Sequence, residues 1–336
     1  MKHGAGIYKM AKELRCTSDE IIDFSSNINS CDFNTNITLT KTMLVKYADS
    51  SYNNLKKTIA ENMTIKKKQV ALYNGATSAI FELIKSLETK DIYLYAPLYG
   101  EYEKAAKQSG KKIHKINRFR ELYKEPKKGS IVVFVNPSTP DGKFYDLKKL
   151  FKVWKRQNCT IILDESFLEF QNLKSLRNQI NDYEKLYIIQ SFTKFYACAG
   201  VRIGAIFSNK RNIKELKTPL WNLSSFDVKF LTKRVQKEEF KKKSKKHHKK
   251  MKKELLEILK NSKLFSKIYE SDSNFILTKS KNAKKIFRYL YKQKILVRKC
   301  GSFDFLDNSY LRFAVKETNS HKILTKVLKK VLNELP

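Results

Sequence analysis

At 336 residues, with 41% hydrophobic and 12% aromatic residues, the chain can bury the cores of one large α/β domain and a smaller one, which excludes a disordered chain and a single small module. A formal charge of +36 first suggests a nucleic-acid or acidic-membrane partner. Yet only eleven of the 69 cationic residues are arginine, whose forked donors that recognition favours, so the excess reads as a solvated lysine surface.

The opening MKHGAGIYKMAKEL lacks the continuous apolar stretch of a signal peptide, and no apolar run approaches the roughly 18 residues of a membrane span. The five cysteines are scattered and never spaced C-x-x-C, so neither a disulfide framework nor a zinc site is expected. Together these features predict a soluble, cytoplasmic protein.

From Thr40 to Phe207 helical and strand patterns alternate, which predicts a mostly parallel sheet covered by helices on both faces. Helices are expected over Thr42–Glu61, Ser78–Leu87, Tyr102–Ser109 and Leu147–Gln157. Strands are expected at Asp91–Tyr95, Lys112–Lys115, Ile131–Val135, Thr160–Asp164, Leu186–Gln190 and Ile203–Ser208. Short apolar runs such as IVVFV and TIILD read as buried strands.

Beyond Lys210 come lysine-rich helices, a strand near Asn274–Leu277, a helix through Lys292, a strand at Tyr310–Val315 and a last helix from His321. The division expected is an N-terminal arm at 1–39, a large domain at 40–209 and a small α+β domain at 210–336. Lys241–Lys253 runs into the amphipathic Glu254–Leu259, so a charged helix is expected there. His247 and His248 are neighbours and point to different faces, which favours solvation over a metal site.

Three predicted strand ends carry the chemistry: Asn136 to Gly142 (NPSTPDG), Leu163 to Phe167 (LDESF) and Ser191 to Lys194 (SFTK). In an open α/β sheet, ligands bind beyond the carboxyl ends of strands, so these loops can converge on one site. A lysine must be neutral to form a Schiff base, and a partly desolvated position lowers its pKa as required. Lys194 follows a strand, unlike the surface lysines. Asp164 ends an apolar run where an unpaired carboxylate would be costly, and a protonated pyridine nitrogen would be its partner. Ser191, Thr193 and Arg202 have the donors to hold a phosphate. So has the turn Gly75, Ala76, Thr77 at the start of a helix. Each of these fragments alone has an ordinary structural reading as a turn, cap or surface ion pair. Their joint occurrence in this order carries the argument.

SFTKFYACAGVRIG (Ser191–Gly204) resembles the lysine loop of class I/II, fold-type-I aminotransferases, and DESFLEF (Asp164–Phe170) resembles their pyridine-nitrogen motif. The start, HGAGIYKMAKEL followed by IIDFSSNIN, is similar to the HGGN…DFSANIN start of threonine-phosphate decarboxylases of cobalamin synthesis, relatives of histidinol-phosphate aminotransferase. The resemblance implies a fold-type-I, pyridoxal-phosphate-dependent enzyme. By it, Lys194 and Asp164 are catalytic, and Gly75, Ala76, Thr77, Tyr99, Thr139, Ser191, Thr193 and Arg202 hold the cofactor. Tyr47 looks like the tyrosine that reaches a neighbouring subunit's cofactor phosphate, which implies a homodimer. His3, Gly4, Asn27, Arg298 and Arg312 would hold the substrate's phosphate and carboxylate. The opening reads HGAG in place of HGGN, and three further residues depart from the family pattern. Thr139 stands where its ring-hydroxyl asparagine is usual, Asp141 replaces the motif threonine, and Phe167 replaces a common tyrosine.

The activity expected is decarboxylation of an O-phospho-L-amino acid, threonine or serine. A histidinol-phosphate-type aminotransferase is the alternative, and a basic nucleic-acid-binding protein is the reading from a different class.

Overall fold

The computed structural model describes residues 6–334. A two-residue strand β1 (Ile22–Asp23) precedes seven strands: β2 (Val70–Asn74), β3 (Asp91–Ala96), β4 (Lys112–Asn117), β5 (Ile131–Val135), β6 (Thr160–Asp164), β7 (Leu186–Ser191) and β8 (Ile203–Phe207). Five follow: β9 (Lys267–Ile268), β10 (Phe275–Lys279), β11 (Ile295–Leu296), β12 (Arg298–Lys299) and β13 (Tyr310–Ala314).

The main sheet has the order β2-β8-β7-β6-β5-β3-β4. Strands β4, β3, β5, β6 and β7 run parallel, and β8 runs antiparallel to both β7 and β2. Every residue of β5, β6, β7 and β8 is buried, as expected for strands covered on both faces. Alternate residues of β5 divide between two cores. Val132 and Phe134 pack with Leu55, Trp154 and Leu231, while Ile131 and Val133 pack with Ile80, Leu83 and Ala105 on the other side.

Two local expectations change. Val70–Asn74 was not anticipated as a strand: four successive buried residues at the sheet edge give no period-two alternation to read. The single helix over Thr42–Glu61 is instead two, Lys41–Val45 and Asn53–Met63. Between them the carboxylate of Asp49 accepts from the backbone N–H and hydroxyl of Ser51, and Tyr52 takes a left-handed conformation at φ 49°. An Asx-type turn thus competes successfully with the helix.

In the C-terminal third, β12-β13-β10-β9 form an antiparallel sheet. Strand β1 pairs in parallel with β11, which binds the N-terminal segment to this part of the chain. The charged helix is continuous from Glu238 to Asn261, with Met251, Leu255 and Leu259 buried against Ile286, Phe313 and Leu324. His248 is not solvated. It is 3% exposed, its ring 5.1 Å from that of Phe170, because its face of the helix packs on the loop after β6. Among the described residues no helix is long and apolar enough to cross a membrane.

Candidate active site

Asp164 is the last residue of β6, and Lys194 lies three residues beyond Ser191 at the end of the adjacent parallel strand β7. Their side chains therefore emerge from the same carboxyl edge of the sheet. One oxygen of Asp164 accepts the hydroxyl of buried Tyr102 at 2.9 Å, and the other accepts the Ser166 backbone N–H at 2.9 Å. Burial and the Asp164 charge push the Tyr102 phenol well above its ordinary value, so it stays a donor to the carboxylate.

The Lys194 amine donates to Ser191 Oγ at 3.2 Å, and Ser191 Oγ lies 3.0 Å from the Thr193 hydroxyl. Burial lowers the Lys194 pKa, opposed by Asp164 and reinforced by Arg202 and Arg312. A depressed amine is more often neutral, which is the state that attacks a carbonyl.

Beside this group is an anion cradle. The helix Gly75–Ser86 begins at Gly75, whose φ of +76° and backbone N–H donated to Arg202 O at 2.9 Å aim the chain end at the arginine. A Cβ on Gly75 would stand 2.8 Å from Arg202 Nη2, and one on Gly204 would fall 2.3 Å from Ala76 N. Those two positions need glycine so that Arg202, Ala76 and the helix start come together. Thr77 Oγ1 lies 3.4 Å from the Tyr99 hydroxyl, which brings the expected aromatic to the cradle. A basic side chain at an open helix start is a phosphate receptor. Gly75, Ala76, Thr77, Tyr99, Ser191, Thr193, Lys194, Arg202 and Asp164 thus form one cluster, and it fits pyridoxal phosphate.

On the other side, Arg298 and Arg312 are directly paired across β12 and β13 and are 5% and 6% exposed. Arg312 donates to the Thr139 hydroxyl at 3.1 Å and to Ser25 O at 3.3 Å, and its Nε is buried without a partner. Burial, with the neighbouring Arg298, brings the Arg312 pKa down to about 10. Asn27 joins the same side: its backbone oxygen accepts from Asn274 Nδ2 at 2.8 Å, and its own Oδ1 is buried without a partner.

Asp141 has a structural partner. It forms a buried ion pair with Arg118, which also donates to Thr139 O at 3.3 Å. Phe167 lies edge-on to Phe275, and its ring is 5.4 Å from the Lys194 amine. Tyr47 stands outside the cluster, 78% exposed and stacked on Trp221 at 4.6 Å. His3 and Gly4 lie outside the described residues. Sequence reasoning missed Tyr102, Asn274 and Arg118, which reach the site from distant segments and carry no motif of their own, and it passed over Asn29, which lies within IIDFSSNIN but was assigned no role.

The family profile described as aminotransferase class I and II matches residues 6–330. The chain belongs to that family. It is a pyridoxal-phosphate enzyme of the fold-type-I architecture. It is 29% identical over 348 residues to the adenosylcobalamin biosynthesis bifunctional protein CobDQ of Leptospira interrogans, covering 96% of this chain but only 40% of that protein's length. It is 27% identical over 324 residues to the histidinol-phosphate aminotransferase of Flavobacterium psychrophilum, covering 93% of this chain and 92% of the relative. Among solved structures, the histidinol-phosphate aminotransferase of Clostridium acetobutylicum superposes with a TM-score of 0.81 at 28% identity, covering 94% of this chain and 100% of that one.

Proposed function

We propose that this enzyme decarboxylates an O-phospho-L-amino acid, O-phospho-L-threonine first and O-phospho-L-serine as its competitor, to the amino-alcohol phosphate and CO₂. The carrying observation is the pair of buried arginines at positions 298 and 312, held in register on adjacent strands. Arg312 is buried with an Nε that has no hydrogen-bond partner, which favours an anion meeting it, and a substrate with both a phosphate and a carboxylate carries the groups that two arginines can bind. The neutral acceptors already on Arg312, Thr139 Oγ1 and Ser25 O, orient its guanidinium without neutralising it.

Pyridoxal phosphate supplies an electron sink that stabilises negative charge at the substrate Cα. Lys194 would hold the cofactor and afterwards carry a proton on its Nζ. Asp164, fixed by Tyr102 and Ser166, would keep a positive charge on the facing ring nitrogen. Gly75, Ala76, Thr77, Ser191, Thr193 and Arg202 would hold the cofactor phosphate. Tyr99 would pack on the ring and Thr139 would donate to its oxygen. His3, Gly4, Asn27, Arg298 and Arg312 would orient the substrate. Which bond at Cα breaks depends on how they turn the carboxylate relative to the ring.

A phosphate-recognising aminotransferase is the second reading, favoured by the likeness to the Flavobacterium and Clostridium enzymes. The test is to incubate the holoenzyme separately with phosphothreonine, phosphoserine and histidinol phosphate, each with and without oxoglutarate as amino-group acceptor. CO₂ and an amino-alcohol phosphate are expected from the two phospho-amino acids, and no reaction from histidinol phosphate, which has no carboxylate to lose. Glutamate formed from oxoglutarate, without CO₂, would establish the second reading instead. The basic surface would guide such anions to the protein.

A further inference from the structure

The segment after β1 crosses from the small sheet to the lysine loop within a few residues. Its first contacts are with β13: Ala314 donates its backbone N–H to Phe24 O at 2.8 Å, and Arg312 donates to Ser25 O. Asn274 then holds Asn27 O. At Asn29 the strap reaches the loop after β7. The backbone N–H of Asn29 donates to Lys194 O at 3.0 Å, and its side-chain amide donates to Phe195 O at 2.8 Å.

The orientation of that amide is fixed by chemistry. Cys31 donates its backbone N–H to Asn29 Oδ1 at 3.0 Å, so that end is the oxygen and the NH₂ must face Phe195. One buried residue therefore grips two successive carbonyls of the loop and closes an Asx turn behind itself. The loop's own contacts at this point are longer, Ala197 N–H to Lys194 O at 3.3 Å and Cys198 N–H to Thr193 O at 3.2 Å.

We propose that Asn29 is the positioning residue of Lys194: it fixes the backbone from which the amine projects and ties that backbone to the Arg312 side of the site through Ser25–Asn29. The proposal rests on Lys194 being the cofactor lysine. Both ends of the Asn29 side-chain amide are engaged by Phe195 O and the Cys31 N–H, so the residue acts through the lysine. The same short strap carries the Asn27 and Arg312 contacts, so the arginine side and the lysine loop are held by one segment. A misplacement of about 1 Å at a reacting group can cost on the order of a hundredfold in rate.

The test uses Asn29→Ala and Asn29→Asp. The aspartate keeps the acceptor for Cys31 but replaces the donor to Phe195 with a carboxylate whose charge by itself raises a nearby amine's pKa, so the uncharged alanine decides the midpoint and the aspartate is read by band formation and kcat. In cofactor-free protein, acetylation by acetic anhydride over a pH series, read by peptide mass spectrometry, gives the midpoint at which the Lys194 amine becomes reactive. The alanine variant is expected to move that midpoint up toward about 10.4, the value of an unperturbed lysine, while partly buried Lys316 reacts as before. On adding pyridoxal phosphate, the borohydride-sensitive visible band should form about tenfold or more slowly than in the unsubstituted protein, and kcat should fall with little change in KM. Folded variants with an unchanged Lys194 midpoint and rate would overturn the proposal. So would equal changes at Lys194 and Lys316, since that marks general loosening. An unsubstituted protein that forms no band with the cofactor would defeat the cofactor reading alone, because the acetylation profile still decides whether Asn29 positions Lys194.

Discussion

Lys194 is one amine among a large excess of lysines, and its surroundings distinguish it. Replacing it with alanine should abolish the borohydride-sensitive visible band while leaving the fold intact, as checked by absorbance and circular dichroism. A second residue-scale prediction concerns Gly204. An alanine there places a methyl 2.3 Å from Ala76 N and 2.6 Å from Gly75 C, backbone atoms that cannot swing aside. The cost is expected to be about 1–3 kcal/mol of stability, with weakened cofactor retention, read by denaturant unfolding and by the cofactor remaining after dialysis. Asp164, Lys194 and Gly75–Thr77 were legible in the sequence because each sits at a strand end or helix start, where local pattern and chemistry coincide. Tyr102 was not. Tyr102 reaches Asp164 from a helix 62 positions away, and a contact made only by folding leaves no local trace.

At the scale of elements, the strands of the parallel core were read from their apolar runs, since burial on both faces makes composition sufficient. The edge strand β2 and the broken helix near Tyr52 were not, because turn chemistry and edge pairing settled them. The charged helix Glu238–Asn261 was expected, but its buried face was not. Lysines surround His248 in sequence, and only packing on Phe170 reveals that this face turns inward. Burial, aided by Lys252 and His247, lowers the His248 pKa from 6.5 to about 3, and its Nε2 is buried without a partner. The unfolded chain therefore binds a proton that the folded one refuses. Stability from this group is fully present above pH 6.5 and is lost as the pH falls toward 3. Between pH 6.5 and 5 the loss is on the order of 2 kcal/mol. His248→Phe should flatten the fall in thermal midpoint over that interval, and a variant as acid-sensitive as the parent would show that other groups dominate.

For the whole molecule, an apolar surface adjoins the anion cradle on a strongly basic chain. Leu44, Val45, Tyr47, Leu220 and Trp221 are all exposed, and the Tyr47–Trp221 stack joins the two segments. The next residue, Asn222, accepts from Asn74 Nδ2 through its backbone oxygen at 3.1 Å, directly before Gly75. Contiguous exposed apolar residues beside a binding site are the mark of an interface. A protein of charge +36 repels its copies at long range, so short-range apolar burial has to dominate for self-association. We expect a homodimer in which this surface is covered and Tyr47 is brought toward the partner's cradle. Trp221→Asp should shift the sedimentation of the protein from dimer to monomer. If Tyr47 completes the partner's phosphate site, the monomer should also lose pyridoxal phosphate on dialysis. Added salt should favour the unsubstituted dimer by screening the lysines, whereas an interface held mainly by ion pairs would weaken. A monomer at all salt concentrations that retains cofactor would overturn both the interface and the shared site.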